Sequence, residues 1–262
     1  INKALQSPAV VKAFADGALG SQTAHLLRPY EGDSRNMGVA VASKEEIAEL
    51  VGKAVLAGIS CAIHAIGDRA NRDVLDIFES VKAESAQRRL RHRIEHAQLL
   101  HPEDVRRFAD LGVVASMQPV HILTDIPVAE RHWGRRSRWA YAFRSLSKSG
   151  AMLAFGSDAP VETPDPIRGV YAAVARKQLE GTSDSGWYPE ERMTVEETIR
   201  AYTAGSAMAS SDELTRGTLA RGLSADMTVL SRDIFSTPAA EILDVRVVGT
   251  VIAGQFVFRD GI

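Results

Sequence analysis

The chain has 262 residues, of which 45% are hydrophobic and 24% charged, the composition of a soluble globular protein with one large barrel-type domain or two ordinary ones. Its 31 basic and 33 acidic residues leave a formal charge of -2, which excludes a general electrostatic footprint for nucleic acid or an anionic membrane and favours a small, mildly polar substrate. The single cysteine, Cys61, excludes an intrachain disulfide, and no apolar run approaches the roughly 18 to 20 residues that span a bilayer, so a cytoplasmic protein with no membrane partner is expected.

Helical and strand-like segments alternate along the chain, which predicts parallel strands joined by crossover helices. The apolar run VVKAF carries Lys12 and reads as a strand. Ser43 with Glu46 forms a capping box, and Ile47, Leu50, Val51 and Val55 recur at helical spacing until Gly58. Ile59 to His64 is the next strand, and Asp68 caps a helix whose stripe is Val74, Leu75, Ile77, Phe78 and Val81. Arg93 to Ala97 is a strand, Pro102 opens a helix that buries Val105, Phe108 and Leu111 before Gly112, and Val113 to Met117 is a strand again. His121 to Arg138 is expected to be a long loop, followed by a short helix ending near Gly150 and a strand, Ala151 to Phe155, closed by Gly156, Ser157 and Asp158. Helices follow around Ile167 to Leu179 and Val195 to Met208, the second opened by Thr194 with Glu197. After about residue 215 the pattern changes to the short strands Met227 to Leu230, Arg246 to Ile252 and Gln255 to Arg259. The expected division is therefore 1–215, a partial β/α barrel, and 216–262, a β-rich tail.

Four side chains with metal-ligating chemistry, Lys12, His64, His96 and Asp158, stand at or near the ends of separate strands. Parallel strands laid side by side would gather them at the carboxyl mouth of a barrel, where such groups make a plausible Zn²⁺ site. Plainer roles compete at each position: a hydrogen-bonded core histidine for His64 or His96, a turn or cap for Asp158, a lysine that snorkels to the surface for Lys12. Alternation groups Ala62 with His64, Ile94 with His96 and Gly156 with Asp158. His92 lies further from the carboxyl end than His96 and is assigned a structural role. A buried Lys12 would favour the neutral amine, which adds CO₂ to become a carbamate able to bridge two cations. Cys61 reads as a small buried hydrophobe.

The segments VKAFADGALGSQTA (Val11 to Ala24), AIHAIGDRAN (Ala62 to Asn71), HRIEHAQLL (His92 to Leu100), SMQPVH (Ser116 to His121), FGSDAPVE (Phe155 to Glu162) and GTLARGLSADMTVLSRD (Gly217 to Asp233) together resemble the amidohydrolase superfamily, in particular the family 3 branch that includes N-substituted formamide deformylases. The resemblance implies an α/β fold, a metal-dependent-hydrolase (β/α)₈ TIM barrel with a small carboxyl-terminal β-sandwich remnant. It implies that Lys12 matches the carboxylated, metal-bridging lysine, that His64 and His96 match the histidines of the second metal, and that Asp158 matches the aspartate that ligates metal and shuttles the proton. The chain departs from the family in having no His-x-His, and it starts at the strand that bears Lys12, so an incomplete barrel is expected. Weak or single-metal occupancy follows, unless a second chain supplies the remaining ligands. A homo-oligomer, or pairing with a chain that contributes missing strands, is expected on the same ground.

The implied reaction is hydrolysis of an amide or formamide-type carbon-nitrogen bond by metal-activated water, with Asp158 accepting the proton and returning it to the leaving amine. His121 and Gln118 are candidates for substrate binding, His121 also for the oxyanion, and Trp133 and Tyr141 read first as packing residues. Two alternatives stay open: a deaminase of cyclic amidines with the same chemistry, and a non-catalytic fragment.

Overall fold

The computed structural model describes residues 10–179 and 185–261. Five strands, β1 (Val10–Phe14), β2 (Ser60–Ala65), β3 (Arg93–His96), β4 (Val114–Met117) and β5 (Leu153–Phe155), form one sheet in that order. β1 to β4 run parallel, with Lys12 opposite Ala62, Ile63 opposite Ile94 and Glu95 opposite Ser116. Ala115 N donates to Met152 O (2.9 Å) just ahead of β5.

Helices complete the crossovers. α1 (Lys44–Leu56) has the expected capping box, Ser43 and Glu46 each satisfying the other's backbone N–H, and buries Ile47, Val51, Ala54 and Val55. α2 (Asp68–Ser80) buries Val74, Leu75, Ile77 and Phe78, and the short α3 (Lys82–Gln87) follows it. α4 (Pro102–Leu111) starts with proline in its first turn and ends at Gly112, whose φ of +67° is the left-handed closure that glycine makes without strain. Each large apolar side chain withdrawn in this way stabilises the fold by about 1.5–3 kcal/mol before entropy is charged.

The segment expected as a loop from His121 to Arg138 is mostly helical: α5 (Ile122–Trp133) is followed by a 3₁₀ stretch, Gly134–Trp139. Pro127 stands inside α5 and the arginines crowd its far end, which is why the sequence resembles a loop. α6 (Phe143–Ser149) ends at Gly150 as expected. α7 (Pro166–Ala175) stops four residues short of Leu179, because Arg176 takes a left-handed backbone. The helix from Val195 is interrupted: α8 (Val195–Arg200) passes through a π turn, Ala201–Gly205, into α9 (Ser206–Ala209). The tail forms an antiparallel sheet, β6 (Met227–Leu230), β7 (Val247–Ile252) and β8 (Gln255–Arg259), in the order β6-β7-β8.

By compactness the chain divides into one unit of residues 1–117 and 124–153 and another of 118–123 and 154–262. Among the described residues no helix is long and apolar enough to cross a membrane.

Candidate metal centre

Register in a parallel sheet puts paired residues on one face. In the first unit one face therefore carries Lys12, Phe14, Ala62, His64, Arg93 and Glu95, and the other carries Cys61, Ile63 and Ile94, all of them 0% exposed. Polar groups so gathered on one side of an otherwise apolar sheet mark the side on which chemistry is possible. Arg93 Nε and Glu95 Oε1 pair there at 2.6 Å. Glu95 has no counterpart in the sequence expectations; the register pairs it with His64.

His64 is largely buried on this face. Its Nε2 lies 2.9 Å from Gly17 O and 3.6 Å from Asp16 Oδ1. A carbonyl only accepts, so Nε2 carries a proton, and in the neutral ring Nδ1 is the nitrogen with a lone pair. A backbone carbonyl on one ring nitrogen is the support that orients a metal-binding imidazole. The ring of His96 meets that of His64 edge to face, with centroids 4.6 Å apart. Two imidazoles on one face, one with its tautomer fixed, fit a divalent cation such as Zn²⁺ by donor chemistry.

The grouping of Ile94 with His96 by alternation agrees with the register but is corrected by the backbone at His96. Ala65 pairs with His96, so a regular strand would turn His96 away from His64. His96 instead has φ of +72° and Ala97 +44°, a left-handed break that returns the ring to the His64 side. Of the two alternatives for Lys12, a buried amine and a lysine at the surface, the structure has the second. Lys12 is exposed, with Nζ 5.1 Å from the centre of the Phe14 ring, since β1 is the first strand of the sheet and pairs only with β2 among the described residues.

Asp16, two residues past β1, was not singled out in the sequence. It is 1% exposed and accepts from His25 N, Ile66 N and Gly67 N at 2.8–2.9 Å, joining the end of β1 to the turn after His64. Burial pushes its carboxyl up to about 7, while the three N–H donors pull it down. Gly67 is required there by contact, because a Cβ would stand 2.0 Å from His25 O. The signal for Asp16 was a carboxylate directly before a glycine at a strand end.

In the second unit Asp158 is three residues past β5 with φ of +60°, so it is not a strand residue sharing a face with Gly156. Its Oδ2 lies 3.7 Å from His121 Nε2, and His121 Nδ1 lies 3.8 Å from Glu162 Oε1. His121 closes the 3₁₀ turn Pro119–His121 and is largely buried, and Gln118 before it is 7% exposed. His121 therefore stands between two carboxylates, one of which, Glu162, sequence reasoning left without a role.

His92 is separate from this chemistry, as its position predicted. Cys61 N donates to Nδ1 (3.1 Å), Nε2 bonds Ser85 Oγ (2.9 Å), and the ring stacks on Phe78 at 4.7 Å. A cavity of about 330 Å³ beside it, lined by Phe78, Ser85, His92 and Val113 among others, includes none of the strand-end candidates.

The amidohydrolase family model matches residues 4–258. The chain is 38% identical over 251 residues to the protein YtcJ of Bacillus subtilis (strain 168), covering 95% of this chain and 47% of that one. It is 29% identical over 246 residues to the N-substituted formamide deformylase of Arthrobacter pascens, covering 93% and 44%. A solved structure described as an uncharacterized metal-dependent hydrolase from Pyrococcus horikoshii OT3 matches with a TM-score of 0.78 at 35% identity, over 88% of this chain and 46% of that one. The chain thus spans about half the length of the relatives it matches, and with the family model covering nearly all of it, the chain belongs to the amidohydrolase family.

Proposed function

We propose that this chain carries part of the catalytic centre of a metal-dependent hydrolase that cleaves an amide or formamide-type carbon-nitrogen bond in a small molecule. The observation that carries the proposal is the pair of imidazoles on the polar sheet face, His64 with its Nε2–H held by Gly17 O and His96 turned toward it by a left-handed backbone. Lys12, His64, His96 and Asp158 are the proposed ligands of a divalent cation, Zn²⁺ by preference, with Lys12 as its carbamate. Such a cation, when bound, supplies an electrophile for the scissile carbonyl and acidifies water. Asp158 takes the proton from the attacking water at a carboxylate oxygen and delivers it to the amine nitrogen as the carbon-nitrogen bond breaks. His121, between Asp158 and Glu162, contacts the substrate or its developing oxyanion, and Gln118 is the neighbouring polar group for substrate binding. Residues 216–262 are proposed as part of a composite β-domain and 1–215 as barrel, with a second chain or a second copy of this one as partner.

The test is elemental analysis of the purified chain followed by a panel of N-substituted formamides and amides, with a parallel assay for ammonia from cyclic amidines. Amine release that requires metal and disappears in Asp158→Asn, with folding retained, is the expected result. Ammonia from amidines without amide cleavage would favour the deaminase, and the absence of both metal and turnover would overturn the proposal.

A further inference from the structure

The segment that follows His96 keeps a shape that a strand end does not adopt unaided. His96, Ala97 and Tyr141 have φ of +72°, +44° and +53°. None is glycine, so each carries the Cβ crowding that disfavours the left-handed region, and such backbones persist only where neighbours fix them. The neighbours here are specific. Tyr141 N donates to Gln98 O (2.7 Å), Leu99 N to Ile66 O (2.9 Å) and Leu100 N to Trp139 O (3.2 Å), with an antiparallel bridge between Leu99 and Ala140. Side chains close the same loop. Asp125 Oδ2 accepts from Gln98 Nε2 at 2.8 Å and from the Tyr141 hydroxyl at 2.5 Å, and Gln98 and Tyr141 are 4% and 2% exposed. One carboxylate oxygen shared by two buried donors is a charge-assisted junction. It ties α5, the turn at Tyr141 and the second residue past His96 into one piece.

We infer that Asp125, Gln98 and Tyr141 form the positioning device for His96, holding the His96–Ala97 backbone left-handed and the His96 ring edge-on to His64. The consequence for metal binding rests on the function proposed above, whereas the ring geometry belongs to the chain alone.

The experiment compares the chain with its Tyr141→Phe, Asp125→Asn and His96→Ala variants, and with Ser85→Ala, which removes a buried hydroxyl bond on the other side of β3. Two readouts are taken: the nuclear Overhauser contact between the His64 and His96 rings without metal, and the affinity and visible spectrum with Co²⁺. Tyr141→Phe and Asp125→Asn are expected to weaken the ring contact, to lower Co²⁺ affinity by about tenfold or more, as loss of an outer support does, and to alter the spectrum. Ser85→Ala is expected to keep all three. Unchanged ring contact and Co²⁺ binding in Tyr141→Phe and Asp125→Asn would overturn the inference, even with stability reduced. If the parent chain binds no Co²⁺, or His96→Ala binds it as the parent does, the metal proposal fails while the ring contact still decides the positioning role. Should Asp125→Asn not fold, Tyr141→Phe, which removes one oxygen, carries the test.

Discussion

Replacing His92 by phenylalanine should convert an acid-sensitive fold into one less sensitive to acid, at a cost in stability near neutral pH. The His92 ring is 5% exposed, and Nδ1 must stay unprotonated to accept from Cys61 N, so the surroundings hold the neutral form. Burial accordingly lowers its pKa from 6.5 to about 4. A folded value below the unfolded one means that, as pH falls through 6.5, the unfolded chain takes up a proton that the fold refuses until about 4. The fold loses nothing above 6.5, and the loss is complete below 4. The full span is about 3 kcal/mol, of which about 2 kcal/mol is lost by pH 5, at 1.36 kcal/mol for each unit.

Phenylalanine keeps the stack on Phe78 but cannot accept from Cys61 N or bond Ser85 Oγ, which costs roughly 1–3 kcal/mol at pH 7.5. The quantity to measure is the stability of the parent minus that of His92→Phe, from urea unfolding at about pH 7.5 and 5 and constant salt. Taking the difference matters, because Asp16, with its carboxyl raised to about 7, pushes the absolute profile the other way: the fold holds a proton between 3.8 and 7 that the unfolded chain releases, so its contribution declines as pH rises. The parent's advantage should shrink by about 2 kcal/mol between the two pH values. A constant gap, or a His92 ring that titrates near 6.5 in the folded chain, would refute the argument.

Gly67→Ala should lower the melting temperature and speed amide exchange at Ile66 and Gly67, since the added methyl meets His25 backbone rather than a movable side chain; overpacking of this kind costs about 1–3 kcal/mol. Wild-type exchange in that variant would show that the Asp16 brace does not depend on the close approach. Arg107→Met should destabilise by about 1–2 kcal/mol with the loss reduced at high salt, because Arg107 joins α4 to α2 through Asp76 and Glu79 and also pairs with the 2% exposed Asp104 of its own helix; surface pairs alone give about 0–1 kcal/mol. A salt-independent change would assign the effect to packing of the arginine stem instead.

The parallel strands and the first helices were legible because their signals are local: a capping box at Ser43, a glycine stop at Gly112, apolar runs of strand length. The same locality explains the errors. α5 was hidden by Pro127 and by charges whose partners lie elsewhere in the chain, and Arg176 ends α7 with a left-handed residue that no composition rule marks. Among the candidate residues, His64, His96, His121 and Asp158 could be named from residue type and position near a strand end. Asp16 offered only the weaker mark of a carboxylate before a glycine at a strand end and Asp125 none, because their importance lies in which distant groups they accept from: the turn at residues 66 and 67 for one, Gln98 and Tyr141 for the other.

Two histidines four residues apart make the limit of the alternation rule concrete. By period two, His92 and His96 belong to one face of β3 together with the fully buried Ile94, and His92 obeys, meeting Phe78 of α2 and Ser85 of α3. His96 would follow it into the helix layer, where a second buried imidazole would need its own bonded partners. The left-handed turn at His96 and Ala97 sends it to the opposite face, against His64. Asp158 is reached by the same device, a left-handed residue just past a strand that has ended. Strain of this kind is tolerated where surrounding bonds over-determine it, and at His96 the bonds that join Gln98, Asp125 and Tyr141 supply that support. A strand end is thus where this fold can present an imidazole on the face that the sheet's own pattern would deny it.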